Sequence, residues 1–214
     1  MKYDSAYNKL SLLPEVFCIN DMAKILKIPK KQTKTYLNRW VKFNFIKKFS
    51  PRSGIFFNLL KSSTSAEDNF NKALYTIYPD AIFTGPAVLR DFDYTTQISN
   101  KAEIIVLKRP SYQQIDGVNI LPRSRSWYKQ FHQGILTQGG KRILRPEYIL
   151  ADGVLNPDKQ WLPDPDDLDL DENNIKQVIS VFQSLEVALP ENYKKYFYSF
   201  LQKDELSQFK YTNL

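Results

Sequence analysis

The chain holds one cysteine, Cys18, and one histidine, His132, among 214 residues. A single thiol excludes an internal disulfide, and one thiol with one imidazole leaves no His/Cys cluster of the kind that holds zinc. No metal and no cofactor is expected. Long apolar runs are missing too: no stretch approaches the roughly 18 residues of a membrane span, and the opening MKYDSAYNKL has no apolar signal core. The expectation is a soluble, cytoplasmic chain without a membrane partner. Glycine is scarce, and Gly139 and Gly140 before Lys141 do not make a P-loop, because the earlier glycine and the following Ser or Thr are absent. A turn between strands explains the pair. The acidic run from Asp158 to Glu172 has seven carboxylates but no glycine for the bend of a calcium loop. It is expected to be a solvated connection that brings acidic groups to the start of the next helix.

What is present is a globular composition, 43% hydrophobic and 25% charged. Its charge is uneven. Residues 1–62 hold 13 Lys and Arg against 3 Asp and Glu, a net +10, whereas residues 63–214 hold 17 against 20, a net −3. A compact basic unit of this size is the electrostatic footprint of a nucleic-acid binder, since each cation set on a phosphate releases condensed counterions. The chain is therefore divided into a basic domain, 1–62, and a second domain, 63–214.

Within the basic domain, NKLSLLPEV predicts a helix ended near Pro14, and INDMAKILKI a second helix with Asn20 as its N-cap. Pro29 interrupts the pattern, and KKQTKTYLNRWVKFNF follows, from Lys30 to Phe45. At 100° per residue, Thr33, Leu37, Trp40, Val41 and Asn44 share one face of this helix. Lys31, Gln32, Thr35, Asn38, Arg39 and Lys42 lie opposite, and no carboxylate neutralises them. FIKKFSPRSGIFFNLL then reads as a hairpin with a tip from Ser50 to Gly54. Two helices joined by a tight break and followed by a hairpin predict a winged helix-turn-helix that binds double-stranded DNA. Gln32, Asn38 and Arg39 are candidates for base edges, Lys31, Thr35 and Lys42 for phosphates, and Arg52 for a wing contact.

In the second domain, SAEDNFNKALYTIYP predicts an amphipathic helix capped by Ser65. AIFTGPAVLRDF reads as a strand or turn followed by a short helix opened by Gly85 and Pro86. AEIIVLK, GVNIL and KRILR are strand-like, and RPEYILADGVL places Pro146 where a helix starts. Two closing helices carry apolar stripes, Ile175 to Leu185 and Tyr193 to Leu201. The fold class is α+β, a winged helix followed by a small mixed-sheet domain with C-terminal helices. From Gly117 to Pro146 there is no Asp or Glu, while Arg123, Arg125, Lys129, Lys141, Arg142 and Arg145 are interspersed with Trp127, Tyr128 and Phe131. This pattern suits a second surface for an anionic partner, with aromatic rings available to stack on bases.

No catalytic residue is expected. Asp80, Glu103 and Lys108 are a faint match to the carboxylates and lysine of metal-dependent nucleases, but Glu103 and Lys108 are five residues apart, and opposite parity sends them to opposite faces of a strand. His132 could be grouped with Cys18 or a serine, yet no nucleophile elbow accompanies it. A plain transcription factor, whose second domain senses a ligand or dimerises, is the other alternative.

The combination resembles the AbiEi antitoxins of type IV abortive-infection toxin-antitoxin systems. The resemblance is carried by FTGPAVLRDFDYTTQISNKAEIIVL, similar to the family's small-Ala-Leu helix, Thr-x-Gln turn and strand, and by ILRPEYILADGVL, similar to its Pro-Glu-x-Ala-Leu-x-Asp helix. Phe92 and Asp93 stand where a His-Gly pair is common. The resemblance implies a repressor that binds inverted repeats in its own promoter and counters a cognate nucleotidyltransferase-like toxin without a stable complex. It also implies an antitoxin role for the charged surface from Arg123 to Arg145.

Overall fold

The computed structural model describes residues 5–61, 66–107, 115–157 and 162–200. The chain forms two compact units, one through Ala81 and one from Ile82 onward, apart from a short segment ending at Asp116. Each unit has its own sheet, and the class is mixed α and β.

The first unit runs α1 (Ala6–Leu12), β1 (Val16–Cys18), α2 (Ile19–Ile25), α3 (Lys30–Lys42), β2 (Ile46–Lys48), β3 (Ile55–Asn58) and α4 (Ala66–Ile77). Its sheet is antiparallel in the order β1-β3-β2, with Val16 opposite Phe57 and Ile46 opposite Asn58. β1 is not among the elements predicted from the sequence, because three residues are too few to show an alternating pattern. It is recognisable only through its pairing with β3. The cap of α2 also differs from expectation. The Asp21 carboxylate accepts the Cys18 N–H at 2.9 Å, so the helix begins at Ile19 and Asn20 lies inside it.

Leu10, Leu13, Phe17, Met22, Leu37, Trp40, Ile46 and Phe56 form the core of this unit. Asn58, itself buried, donates from Nδ2 to the carbonyls of Leu10 at 2.8 Å and Leu13 at 3.3 Å, which satisfies acceptors at the C-terminal end of α1. The sign of the charge changes near residue 62, but packing continues past it. α4 sets Phe70 edge-on to Phe49 with centroids 5.5 Å apart and pairs Lys72 with Glu15 at 3.3 Å. Its predicted cap, Ser65, lies outside the described residues.

The second unit contains β4 (Ile82–Thr84), α5 (Pro86–Asp91), β5 (Ala102–Val106), β6 (Val118–Pro122), α6 (Arg125–Phe131), β7 (Ile135–Gln138), β8 (Lys141–Leu144), α7 (Pro146–Leu155), α8 (Glu172–Ser184) and α9 (Glu191–Phe200). Its five-stranded mixed sheet has the order β6-β5-β4-β8-β7. β4 is antiparallel to β5 and parallel to β8, β5 is parallel to β6, and β7 and β8 are antiparallel, joined at Gly139 and Gly140 with φ of 56° and 75°. α7 is buried from Pro146 through Gly153, so it shows no polar face, and only its N-terminal proline marks it in the sequence. The acidic connection is less solvated than expected: Leu168 and Leu170 enter the core, and Leu168 bridges to Thr95. Asp171 caps α8 by accepting the Asn174 N–H at 2.7 Å. Phe200, expected in the apolar stripe of α9, is exposed.

Four non-glycine residues have positive φ among those described, Lys27, Asn44, Asp93 and Glu186, and each follows the C-cap of a helix. The amide two residues past each cap bonds back into the helix: Ile28 to Ala23, Phe45 to Trp40, Tyr94 to Leu89 and Val187 to Phe182, at 2.8–3.1 Å. This is the Schellman geometry, which glycine adopts without strain and other residues enter at a cost. No helix among the described residues is long and apolar enough to cross a membrane.

Candidate nucleic-acid interface

α3 divides cleanly. Thr33, Leu37 and Trp40 are at most 3% exposed, and Trp40 stacks on Tyr36 with centroids 5.5 Å apart. Lys31, Gln32, Lys34, Thr35, Asn38, Arg39 and Lys42 are all exposed. Asn44, expected on the buried face, is instead exposed, because the chain leaves the helix there at φ 55°. Lys30 and Lys31 sit in the first turn, where the helix dipole disfavours cations by about 0.3–1 kcal/mol each, and Lys34 follows in the second. No carboxylate of the described residues pairs with them. Such an arrangement gives up local stability and leaves a strip of positive charge and amides facing outward.

The hairpin between β2 and β3 is held by Ser53. Its hydroxyl donates to the Ser50 carbonyl at 3.1 Å and accepts from the amides of Ser50 at 3.3 Å and Ile55 at 3.2 Å, while Gly54 takes φ 68°. Pro51 and Arg52 are left exposed at the tip. Lys34 on α3, and Lys47 and Lys48 on β2, are exposed cations of this unit that the sequence reading did not select. Lys34 falls at the edge of the polar arc, and consecutive lysines on a strand give no clue to which of them faces outward.

The second group of cations does not form one surface. Arg123 is buried, and its Nε and NH2 hold both oxygens of the fully buried Asp152 at 3.0 and 2.8 Å. Trp127 Nε1 donates to the same carboxylate at 2.7 Å and Asn156 Nδ2 at 2.9 Å. The charge of Arg123 is thus used inside the fold, where a carboxylate with four donors satisfies a pair that would otherwise be expensive to bury. Trp127 and Phe131 are buried and stacked with centroids 4.8 Å apart, so neither ring is offered to a base. The helix that buries them, α6, opens at Ser124, whose hydroxyl accepts the Trp127 N–H at 3.1 Å.

Of the other cations, Arg145 lies 3.1 Å from Glu147 in an ion contact off the N–H direction and rests over Tyr148. Lys141 lies over Phe83, and Lys141 and Arg142, as neighbours on β8, point to opposite faces of the sheet. Arg125 and Lys129, one turn apart on α6, are exposed. His132 bonds through Nδ1 to the Lys129 carbonyl at 2.8 Å and lines a depression of about 310 Å³ with Lys129, Gln130 and Glu186.

Glu103 reaches Asn119 on the neighbouring strand, accepting its Nδ2 at 3.0 Å. Its second oxygen and the hydroxyl of Thr84, opposite it on β4, are buried without hydrogen-bond partners. The oxygen lies against Gly85, where an added Cβ would meet it at 2.3 Å, so the glycine is required by this close approach. Burial pushes the Glu103 carboxyl above its ordinary range against the opposing pull of Asn119 and Arg123. Burial also pushes the Tyr94 hydroxyl up to about 12. Lys108, grouped with Glu103 in the nuclease alternative, lies outside the described residues, and Asp80 sits in the turn before β4. Among the described residues no three His, Cys, Asp or Glu side chains converge on a metal-sized site. No protein-family model matches the chain, and no curated protein matches it.

Proposed function

We propose that the chain is a DNA-binding transcriptional repressor, with residues 5–61 acting as a winged helix-turn-helix whose α3 enters the major groove. The observation that carries this reading is α3 itself: a 13-residue helix with a buried Thr33-Leu37-Trp40 face and an outer face of cations and amides with no carboxylate. The order helix, strand, helix, helix, strand, strand, with the sheet arranged β1-β3-β2, supports it. In this role Gln32, Asn38 and Arg39 face base edges, Lys31, Thr35 and Lys42 hold phosphates, and Arg52 reaches the flanking backbone or minor groove. The second unit supplies the antitoxin activity of an AbiEi-like protein in the cytoplasm, countering a nucleotidyltransferase-like toxin. That role rests on the two motifs resembling the family, which span β4-α5-β5 and the end of β8 with α7. Arg125 and Lys129 are the exposed cations through which it is tested.

The experiment is binding of the purified chain to its own upstream DNA and to a scrambled duplex across a salt series. Preference for the upstream DNA, weakening with salt by about 0.9 log units per phosphate contact for each log unit of salt, is the expected outcome. Equal affinity for both duplexes, or no binding, sinks the repressor reading. Neutralisation of the toxin encoded beside the chain's own gene separates an antitoxin from a plain transcription factor.

A further inference from the structure

We infer that Arg39 is the guanine-reading side chain of α3 and that Phe43, one turn further on, is its positioning residue; this rests on the DNA-binding reading above. Phe43 is the C-cap of α3 and is 54% exposed, contributing nothing to the core of its unit. An exposed phenylalanine alone means little. Here it has a neighbour: the guanidinium carbon of Arg39 lies 5.9 Å from its ring centroid. Side chains four apart on a helix meet in this way, and a guanidinium attracted to an aromatic face loses freedom before any ligand arrives.

The backbone under this pair is fixed. The Phe43 amide donates to the Arg39 carbonyl at 3.1 Å, the Asn44 amide to Val41 at 3.1 Å, and the Phe45 amide to Trp40 at 2.9 Å. The last of these ties the cap to a ring deep in the core, since Trp40 is 1% exposed. Phe45 stacks on Phe43 with ring centroids 6.0 Å apart. Phe43 is therefore held as a small platform at the end of α3, and Arg39 rests on it with no carboxylate competing among the described residues.

The chemistry of the guanidinium selects the base. Beside the ring the guanidinium has no carboxylate partner among the described residues, so its N–H donors remain to be offered, and a planar fork of donors matches the O6 and N7 acceptors of guanine in the major groove. Adenine presents a donor in place of O6 and repels the same fork. Lys31, Lys34 and Lys42 have no such platform among the described residues and act as point charges on phosphates. Arg39 and Lys42 thus differ in kind although both are exposed cations on one helix.

The test uses the full chain and a duplex library randomised within the bound site, selected in parallel by wild type, Arg39→Lys, Arg39→Ala and Phe43→Leu, with salt slopes measured on the best duplex. Arg39→Lys and Phe43→Leu should both lose, by about tenfold or more, the preference for guanine at one shared position. Because neither removes a charge, their salt slopes should match wild type. A uniform loss of affinity in Arg39→Ala, with the slope reduced by about one phosphate contact, would make Arg39 a phosphate clamp and overturn the assignment. Guanine preference retained in Phe43→Leu but lost in Arg39→Lys would overturn the positioning role. Salt-sensitive wild-type binding without any base preference refutes guanine reading alone, whereas no duplex binding at all refutes the DNA reading and this inference together.

Discussion

The cations of α3 and those between Arg123 and Arg145 are equally conspicuous in the sequence, yet the fold leaves the first group facing outward and pairs part of the second with carboxylates. On α3 they stand outside a buried Trp40 face, and no carboxylate of the described residues pairs with them. In the second unit Arg123 is enclosed with Asp152 and Arg145 lies against Glu147, while Arg125 and Lys129 stay exposed. A positive charge is fully available to a ligand only where no carboxylate of the fold already neutralises it. The missing acidic residues between Gly117 and Pro146 concealed this, because the partners Glu147 and Asp152 come from α7, just past the end of that stretch.

The contrast can be broken most forcefully at Asp152. Asp152→Ala would leave Arg123 and Trp127 Nε1 facing a buried gap, and about 3–5 kcal/mol of stability should be lost in urea denaturation. The double change Asn38→Ala with Arg39→Ala should move the same transition by no more than about 1 kcal/mol, because both side chains are exposed. Comparable losses in the two variants would show that the α3 cations are structural after all.

DNA affinity should rank the variants the other way. Loss of Asn38 or Arg39 should each cost about 1–3 kcal/mol on the preferred duplex, measured by titration at fixed salt. Arg125→Glu with Lys129→Glu should leave stability within about 1 kcal/mol. The antitoxin hypothesis expects this pair to lose neutralisation in a co-expression growth assay, and intact neutralisation would remove α6 from that role.

A smaller effect concerns the helix ends. Asp93 holds φ 60°, a left-handed conformation that glycine adopts without strain. Asp93→Gly should relieve the left-handed strain and, after allowing for the greater freedom of glycine in the unfolded chain, stabilise by up to about 1 kcal/mol. Unchanged or lower stability by thermal denaturation would mean that Asp93 makes compensating interactions there.

The α3 division was legible in the sequence because a 3.6-residue period over 13 residues fixes which side is buried. Pro86, Pro146 and the glycine pair at the β7–β8 turn were legible because their backbone preferences are local. β1 and α6 were not, one being three residues long and the other hidden in a stretch read for its charge. The partners of Arg123 and Glu103 were also out of reach, since Asp152 is 29 residues from the first and Asn119 is 16 from the second. Local rules carry no information about which strands and helices will be neighbours.

Glu103 offers the finest probe of the same contrast, since it is a carboxylate only partly provided for. Asn119 serves one oxygen, and the other is buried without a partner beside an equally unpartnered Thr84 hydroxyl. Its carboxyl is raised from 4.5, chiefly by burial, so the folded chain binds the proton more tightly than the unfolded one. The stability that protonation contributes is therefore fully present below the unfolded value and is lost as pH rises through the folded one. Glu103→Gln does not ionise, keeps an acceptor for Asn119 and brings an N–H donor to the side of Thr84. Its stability relative to wild type should rise between pH 4 and pH 7, read from urea midpoints in matched buffers. A difference independent of pH would mean that Glu103 is ionised in the fold as easily as in the unfolded chain. A falling difference would mean that Arg123, although engaged with Asp152, still stabilises the Glu103 charge more than burial penalises it.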